Sequence, residues 1–567
     1  PLYLAPASVA EIVKPLFVVL AVSLGLSWIL ALCQTTTFGN FILKEAVPGG
    51  AMKDPYDTKL YHKFEKFLTL LIKRRFVTLT TVFVTLVLSL VIMAVMPQSF
   101  FPKMNKPYFR ADLVFPEGFS IHAVDQDVMK VEGYLKNHEK VKSYSVTLGG
   151  TPLRYYLASS SFGPKSNYAN VMVETKDPED AAEVEQQFYE HMTQNFPNII
   201  TRSALFALSP VPEAAIEIGF IGENPDTLTA LVERAKKIAR QCDMVTDIRS
   251  NWGDKVPVWK PMFSQQKGLR LGITRQQVAN SFRTATNGLP LGEYREGDVS
   301  LPILLKDEDV EKMNLNDVKS VPVFSTKGNS VKVEQVIDNF ALGYDYNVVR
   351  RFNRERCMMM QCEPKRGANT MAAFKQVLTA VQEQMQLPEG YKMKYFGEQE
   401  TQDVSNAALA KNIPLTFLLI YVVLLFLFPS NYRKPVLIML MLPLVFIGVV
   451  WGLLLFGKSL DFFAILGLLG LIGMNIKNAI VLVDEIGLQL KDGKGAVLAV
   501  VEATKTRIVP VTMASGTTIL GMLPLLGDAM FAGMAATIMG GLFVSTVLTI
   551  FVLPVTYCIF FKIRADR

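Results

Sequence analysis

The stretch Gly473-Met474-Asn475-Ile476-Lys477-Asn478-Ala479-Ile480-Val481-Leu482-Val483-Asp484-Glu485 decides how this chain is read. It lies in an apolar run of membrane length, 462–483. A lysine near the middle of a spanning helix costs ~2.5–3.5 kcal/mol or more, so it normally faces a charged partner or a wet cavity. The other apolar runs hold no buried carboxylate to meet Lys477. Either the side chain snorkels, or its partner lies outside this chain. Snorkelling would carry it towards Asp484, seven residues on and about 10 Å along the helix. Against this, Gly467, Gly470 and Gly473 make a small-residue face suited to close helix packing, and Gly473 sits one turn from Lys477. That face is expected to point at a neighbouring helix, which favours a functional lysine.

Working outward, half of the 567 residues are hydrophobic and mean hydropathy is +0.27, as in a membrane protein. Seven runs are long enough to span a bilayer, near 12–32, 76–96, 413–428, 436–456, 462–483, 508–526 and 535–561. The basic residues gather in the connections and the tail: Lys59, Lys63, Lys66, Lys73, Arg74 and Arg75, then Arg433 and Lys434, then Lys491, Lys494, Lys505 and Arg507, then Lys562, Arg564 and Arg567. All fall on one side of the membrane, which the positive-inside rule makes cytoplasmic. The net charge of +7 therefore signals orientation and not nucleic acid. The loop from residue 97 to about 410 lies outside. The chain opens on Pro1 with no initiator Met, so it is expected to start inside a longer protein.

Several chemistries are excluded. The five cysteines and four histidines show no metal spacing, and no metal or other cofactor is expected. Gly493-Lys494-Gly495 lacks the Ser or Thr and the spacing of a phosphate-binding loop. No nucleophile or zinc-protease motif appears, so the chain is not expected to be an enzyme. Ion coupling through an intramembrane titratable cluster remains as the energy source.

Ala10, Ile12, Leu16, Phe17 and Val18 match Ala536, Ile538, Leu542, Phe543 and Val544 at a constant offset. Internal repeats are common in transporters, and the first run reads as the last helix of an earlier repeat. Leu60, Phe64, Phe67, Leu68 and Leu71 follow helical spacing with lysines elsewhere on the helix, as in an amphipathic helix on the cytoplasmic surface. In the outer loop, strands near 109–115, 141–148, 170–175 and 199–206 alternate with helices near 120–138 and 178–196, the βαββαβ order of a split βαβ sandwich. A second such unit starts at 214–221 and resumes at 348–396, around an inserted stretch at 258–331. The run Cys357-Met358-Met359-Met360-Gln361-Cys362 invites a soft-metal reading, but as a strand it reads better as core packing.

These residues resemble the C-terminal half of a resistance–nodulation–division (RND) efflux permease. Gly473–Glu485 is similar to that family's tenth membrane helix. The segments Arg507-Ile508-Val509-Pro510-Val511-Thr512 and Gly521-Met522-Leu523-Pro524-Leu525 are similar to its eleventh, and Lys267-Gly268-Leu269-Arg270-Leu271-Gly272-Ile273 to its funnel-docking subdomain. The resemblance implies a membrane α-helical bundle of seven spans with a large α+β periplasmic insertion of βαβ sandwich subdomains. It divides the chain into a span closing the first repeat (1–43), a cytoplasmic linker helix (44–75), a span (76–97), a first porter subdomain (98–213), a second (214–257 and 332–405), a docking subdomain (258–331) and a five-helix membrane segment (406–567).

The resemblance further implies a proton-driven homotrimer in the inner membrane, working with a periplasmic adaptor protein and an outer-membrane channel. Lys477 and Thr512 carry over as proton-relay residues around an acidic pair on a helix this chain lacks, with Asn478 as their neighbour. Lys505 stands where many members have a basic residue, though a positive-inside charge explains it equally. The segment 149–170 would border the substrate pocket, with Tyr155, Tyr156 and Phe162 as candidate lining for bulky apolar compounds. Export of amphiphilic or toxic small molecules is the leading expectation. A heavy-metal exporter of the same family and a non-transporting structural or assembly paralogue are the alternatives.

Overall fold

The computed structural model describes residues 8–42, 56, 58–99, 106–153, 164–206, 213–307, 317–325, 328–429, 431–528 and 530–563. The chain forms two compact units, Trp252–Arg350 and the remainder. It begins with three helices: α1 (Ser8–Ile42), α2 (Lys59–Lys73) and α3 (Arg75–Val95). Residues 21–38 of α1 are exposed throughout. Helix α2 is amphipathic and buries Phe64, Leu68 and Ile72, two turns of one stripe.

A four-stranded antiparallel sheet follows, built of β1 (Tyr108–Val114), β2 (Val141–Leu148), β3 (Tyr168–Thr175) and β4 (Ile200–Leu205) in the order β2-β3-β1-β4. Strand β1 alternates, sending Phe109, Ala111 and Leu113 into the core. Two helices cover that face. Helix α4 (Ile121–Lys136) buries Val124, Val128, Val131 and Leu135, and α5 (Ala181–Asn195) buries Val184, Phe188 and Met192. Ser120 caps α4 by accepting from the Ala123 amide at 3.2 Å.

The second sandwich starts with β5 (Ile216–Ile221), α6 (Pro225–Ala239) and β6 (Val245–Ser250). The chain then leaves for the smaller unit. That unit pairs β7 (Lys255–Phe263) with β12 (Ile337–Tyr346) and holds α7 (Gln265–Leu271), α8 (Arg275–Thr284), the hairpin of β8 (Leu289–Glu296) and β9 (Val299–Leu305), and the short pair β10 (Pro322–Phe324) and β11 (Ser330–Lys332). Helix α7 stops at Gly272, whose φ of 68° is a left-handed cap that glycine adopts at low cost. The chain returns through β13 (Arg351–Phe352), β14 (Glu355–Pro364), α9 (Thr370–Gln384) and β15 (Lys392–Phe396), giving the order β13-β14-β5-β15 with β6 beside β14.

Strand β5 is buried along its whole length. Its Glu217 accepts from Gln361 Nε2 at 2.8 Å, and burial pushes its carboxyl up to about 7. Strand β14 buries Cys357, Met358, Met360 and Cys362. Burial raises the two thiols to about 11 and about 12, so they are core groups rather than reactive ones. The two sandwiches are joined by a forked ion pair. Arg366 meets Glu185 through Nη1–Oε2 at 2.8 Å and Nη2–Oε1 at 2.6 Å, and lies over the Tyr189 ring.

The membrane segment is α10 (Gly397–Leu427), α11 (Arg433–Leu440), α12 (Val445–Leu455), α13 (Phe462–Lys491), α14 (Ala496–Met522) and α15 (Ala532–Phe560). A 3-10 turn at Leu442–Leu444, centred on Pro443, separates α11 from α12 within one apolar stretch. By length and composition, seven helical stretches among the described residues could cross a membrane. Helix α15 is the hub, packed against α3, α12, α13 and α14. It approaches α12 through glycines. A Cβ on Gly448 would lie 2.7 Å from the Gly540 carbonyl oxygen, and one on Gly452 would lie 2.7 Å from that of Ala536.

The two ends of this bundle differ. At one end α2 joins a core with Leu437, Ile486, Val500 and Tyr557, beside the connections rich in Lys and Arg. At the other, residues 97–99 pair with the α12–α13 connection: Gln98 bridges Leu460, and Ser99 Oγ lies 2.8 Å from Ser459 Oγ.

Two stability outcomes follow from this packing. Gly540→Leu should drive α12 and α15 apart and cost roughly 1–3 kcal/mol or more, read as loss of monodisperse protein on size exclusion and a lower unfolding midpoint. Glu217 binds its proton more tightly folded than unfolded, so its contribution favours folding below about pH 4.5 and is lost as pH rises to about 7. Glu217→Gln should therefore become progressively more stabilising relative to the parent from pH 5 to pH 8, by up to about 3 kcal/mol. Thermal unfolding across that range checks the sign.

Candidate functional site

Lys477, Asn478 and Thr512 sit on two helices that pack together, α13 and α14. Helix α13 starts where the Asp461 carboxylate accepts from the Ala464 amide at 2.7 Å. Asp461 is itself buried, and burial raises its carboxyl to about 6. From there α13 presents two unlike faces.

One face is a buried polar seam. Asn478 Nδ2 donates to Ser515 Oγ of α14 at 3.3 Å, and Thr546 of α15 donates to the same oxygen at 2.6 Å. Three residues earlier, Thr549 of α15 donates to Asn475 Oδ1 at 3.4 Å. Seven residues after Asn478, Glu485 accepts from Arg507 Nε at 3.0 Å and from Gln489 at 2.9 Å. The seam thus ties α13 to α14 and α15 at three levels, and all five of Asn475, Asn478, Ser515, Thr546 and Thr549 are buried.

The other face is open. Gly470, Gly473, Lys477 and Asp484 are exposed and follow the three- and four-residue spacing of one helical face. Lys477 makes no hydrogen bond or ion pair among the described residues. Thr512 is likewise exposed and makes no hydrogen bond among them, whereas Thr504, Thr517 and Thr518 on the same helix bond back to its backbone. Because Asn478 touches Ser515 and α13 and α14 run antiparallel, Lys477 and Thr512 fall on opposite sides of that contact, about 6 Å apart in height. The glycine face expected to meet a neighbour does so only at Gly467, against Met534 of α15; Gly470 and Gly473 have open space beside them.

Of the residues singled out by sequence, Lys477 and Thr512 therefore share an exposed setting and lie about one turn apart in height. Asn478 is turned inward into the seam. Tyr155, Tyr156 and Phe162 lie outside the described residues. Tyr168, at the end of the same segment, is buried and donates to Asp112 Oδ1 at 2.5 Å, so it belongs to the sandwich core. The seam partners Ser515, Thr546 and Thr549 were not singled out. Their signal was weak, because single hydroxyls in an apolar run also bond their own helix. Arg507, read as an orienting charge, is paired with Glu485. Among the described residues no three His, Cys, Asp or Glu side chains converge to hold a metal.

The sequence matches the AcrB/AcrD/AcrF family over residues 1–561, and the chain belongs to that family of RND efflux permeases, which are transporters. It is 27% identical over 360 residues to the nickel and cobalt resistance protein CnrA of Cupriavidus metallidurans, covering 62% of this chain and 33% of that protein. It is 21% identical to the swarming motility protein SwrC of Bacillus subtilis, over 100% of this chain and 54% of that protein. With the multidrug export protein AcrF of Escherichia coli it shares 24% identity over 82% of this chain and 46% of that protein. The crystal structure of a heavy metal efflux pump superposes with a TM-score of 0.72 at 18% identity, over 88% of this chain and 51% of that one, which establishes likeness of fold. The chain spans about half the length, or less, of these relatives.

The seam has a measurable energy. A double-mutant cycle of Asn478→Leu and Ser515→Ala should give a coupling of about 0.6–1.7 kcal/mol, the range for hydrogen bonds between membrane helices. Reversible unfolding in mixed micelles measures it, and a coupling near zero would place the bond outside the stabilising set.

Proposed function

We propose that this chain is the C-terminal half of a proton-driven inner-membrane efflux permease, in which Lys477 and Thr512 form half of a proton relay. The observation that carries this reading is Lys477 itself. It is a cation at mid-span on α13, about one turn in height from Thr512, with no partner among the described residues. A cation so placed calls for a carboxylate on a facing helix, and relatives of about twice this length have room for one. Helix α1 supports the same view. It repeats residues of the hub α15 yet is exposed, as the hub of a second bundle would be.

Proton movement near Lys477 has a route to the α+β part. Helix α13 is capped by Asp461, next to Leu460, which bridges Gln98. The Gln98 carbonyl accepts from Asn369 Nδ2 at 2.8 Å, and Asn369 also caps α9 of the second sandwich. We assign the sandwiches as periplasmic porter subdomains and residues 258–331, within the unit Trp252–Arg350, as the docking subdomain. The complete assembly would be a homotrimer with a periplasmic adaptor and an outer-membrane channel. Its substrates would be amphiphilic or toxic compounds admitted beside residues 149–170.

A heavy-metal substrate is the second reading, favoured by the names of CnrA and of the superposed pump. Against it, Cys357, Met358, Met360 and Cys362 are packed into the sandwich core and offer no open ligand set.

Lys477→Ala in the producing cell should abolish efflux while expression and assembly stay intact, because it removes a charge from an open face without leaving a core cavity. Resistance profiles to dyes and detergents on one side, and to nickel and cobalt on the other, read both coupling and substrate class. Unchanged resistance in the variant would exclude the relay role. Loss confined to the metals would reverse the substrate assignment.

A further inference from the structure

The linker helix α2 carries a second, independent surface. Its buried stripe of Phe64, Leu68 and Ile72 holds it to the end of the bundle, where the rings of Phe64 and Phe67 pack at 5.5 and 5.4 Å on Phe551. That leaves a flank uncovered. Leu60, Phe67 and Leu70 are 71%, 49% and 47% exposed, more than an ordinary packed helix leaves to water. Lys59, Lys63, Lys66, Lys73 and Arg74 are all exposed and make no ion pair among the described residues. The single acid of the helix, Glu65, is only half-exposed. At 100° per residue, Leu60, Phe67, Arg74, Lys63, Leu70 and Lys59 fall in that order around one flank, while Glu65 and Thr69 fall on the other. Apolar and cationic side chains are interleaved on the same strip.

The depth of this strip follows from the chain path. Helix α3, a membrane-length apolar helix, begins at Arg75, one residue after α2 ends. The C-terminal end of α2 is therefore at the level where apolar lipid gives way to headgroups.

We propose that α2 is a docking surface for anionic phospholipid headgroups of the cytoplasmic leaflet. Leu60, Phe67 and Leu70 would enter the acyl boundary, and the five cations would engage phosphates. Clustered Lys and Arg at this position attract acidic lipids, and the apolar side chains set the helix into the interface. The leaflet assignment rests on the topology proposed above; the lipid preference does not require transport.

The test uses the protein in phosphatidylcholine nanodiscs doped with spin-labelled phosphatidylglycerol or spin-labelled phosphatidylcholine. The expected result is an association of the anionic probe about threefold above the zwitterionic one, falling towards one at 0.5 M salt. The quadruple variant Lys59→Gln, Lys63→Gln, Lys66→Gln, Lys73→Gln should lose the preference. A control with Arg433→Gln, Lys491→Gln, Lys505→Gln and Lys562→Gln removes the same charge from the same end of the bundle and should keep it. Equal preference in the parent and the α2 variant would overturn the proposal, and so would an equal loss in the control. The salt titration of the parent decides the matter if the variant does not fold. A salt-sensitive lipid preference in a protein without efflux would leave this inference standing and remove only the permease reading.

Discussion

A polar group carried into an apolar bundle has to be met by another group, and α13 obeys this on one face and not on the other. On the inner face each polar side chain is answered. Asn475 meets Thr549, Asn478 meets Ser515, and Glu485 meets Arg507. The outer face sets Lys477 against open space. Everything in the functional reading depends on that asymmetry. A helix held rigidly by its seam keeps an unpaired cation at a defined height, which is what a facing carboxylate would require.

The seam can be so close because the bundle is built around α15. Glycines at 448, 452 and 540 let α12 approach that hub at backbone distance. In lipid there is little hydrophobic drive between helices, so close van der Waals contact and buried hydrogen bonds supply the cohesion. The connection from this rigid core to the α+β part is polar and local. It runs through Asp461, Leu460, Gln98 and Asn369. The sandwiches are in turn joined by Arg366 and Glu185, a charge-assisted pair with fixed fork geometry. Rigid elements joined by a few directional bonds can pass a small displacement over a long path.

Much of the helical framework was legible because membrane burial writes long apolar runs, and each of the seven runs overlaps a helix in the structure. The ends were not legible. Helix α10 begins at Gly397 and α13 continues to Lys491, well beyond their apolar stretches, because helices propagate through polar residues that still satisfy the backbone. In the first sandwich, the alternation of Phe109, Ala111 and Leu113 and the helical spacing of Val124, Val128, Val131 and Leu135 identify their elements directly. For the candidate site, Lys477 was visible because a charge in an apolar run is rare. Ser515 and Thr546 were not, since a hydroxyl on a helix bonds its own backbone as readily as a neighbour.

The sequence by itself determined that this is a membrane protein with a large α+β insertion, and that Lys477 is its exceptional residue. Those are properties of composition and period, which local physics reads without knowing what packs on what. Only the tertiary structure decided which way each side chain faces. It turned Asn478 inward and Lys477 outward, and converted Arg507 from an orienting charge into the partner of Glu485. It also divided the methionines of β14, burying Met358 and Met360 and leaving Met359 partly exposed. A rotation of 100° per residue separates neighbours on a helix, and which of them meets a partner is settled by the helices that close around it.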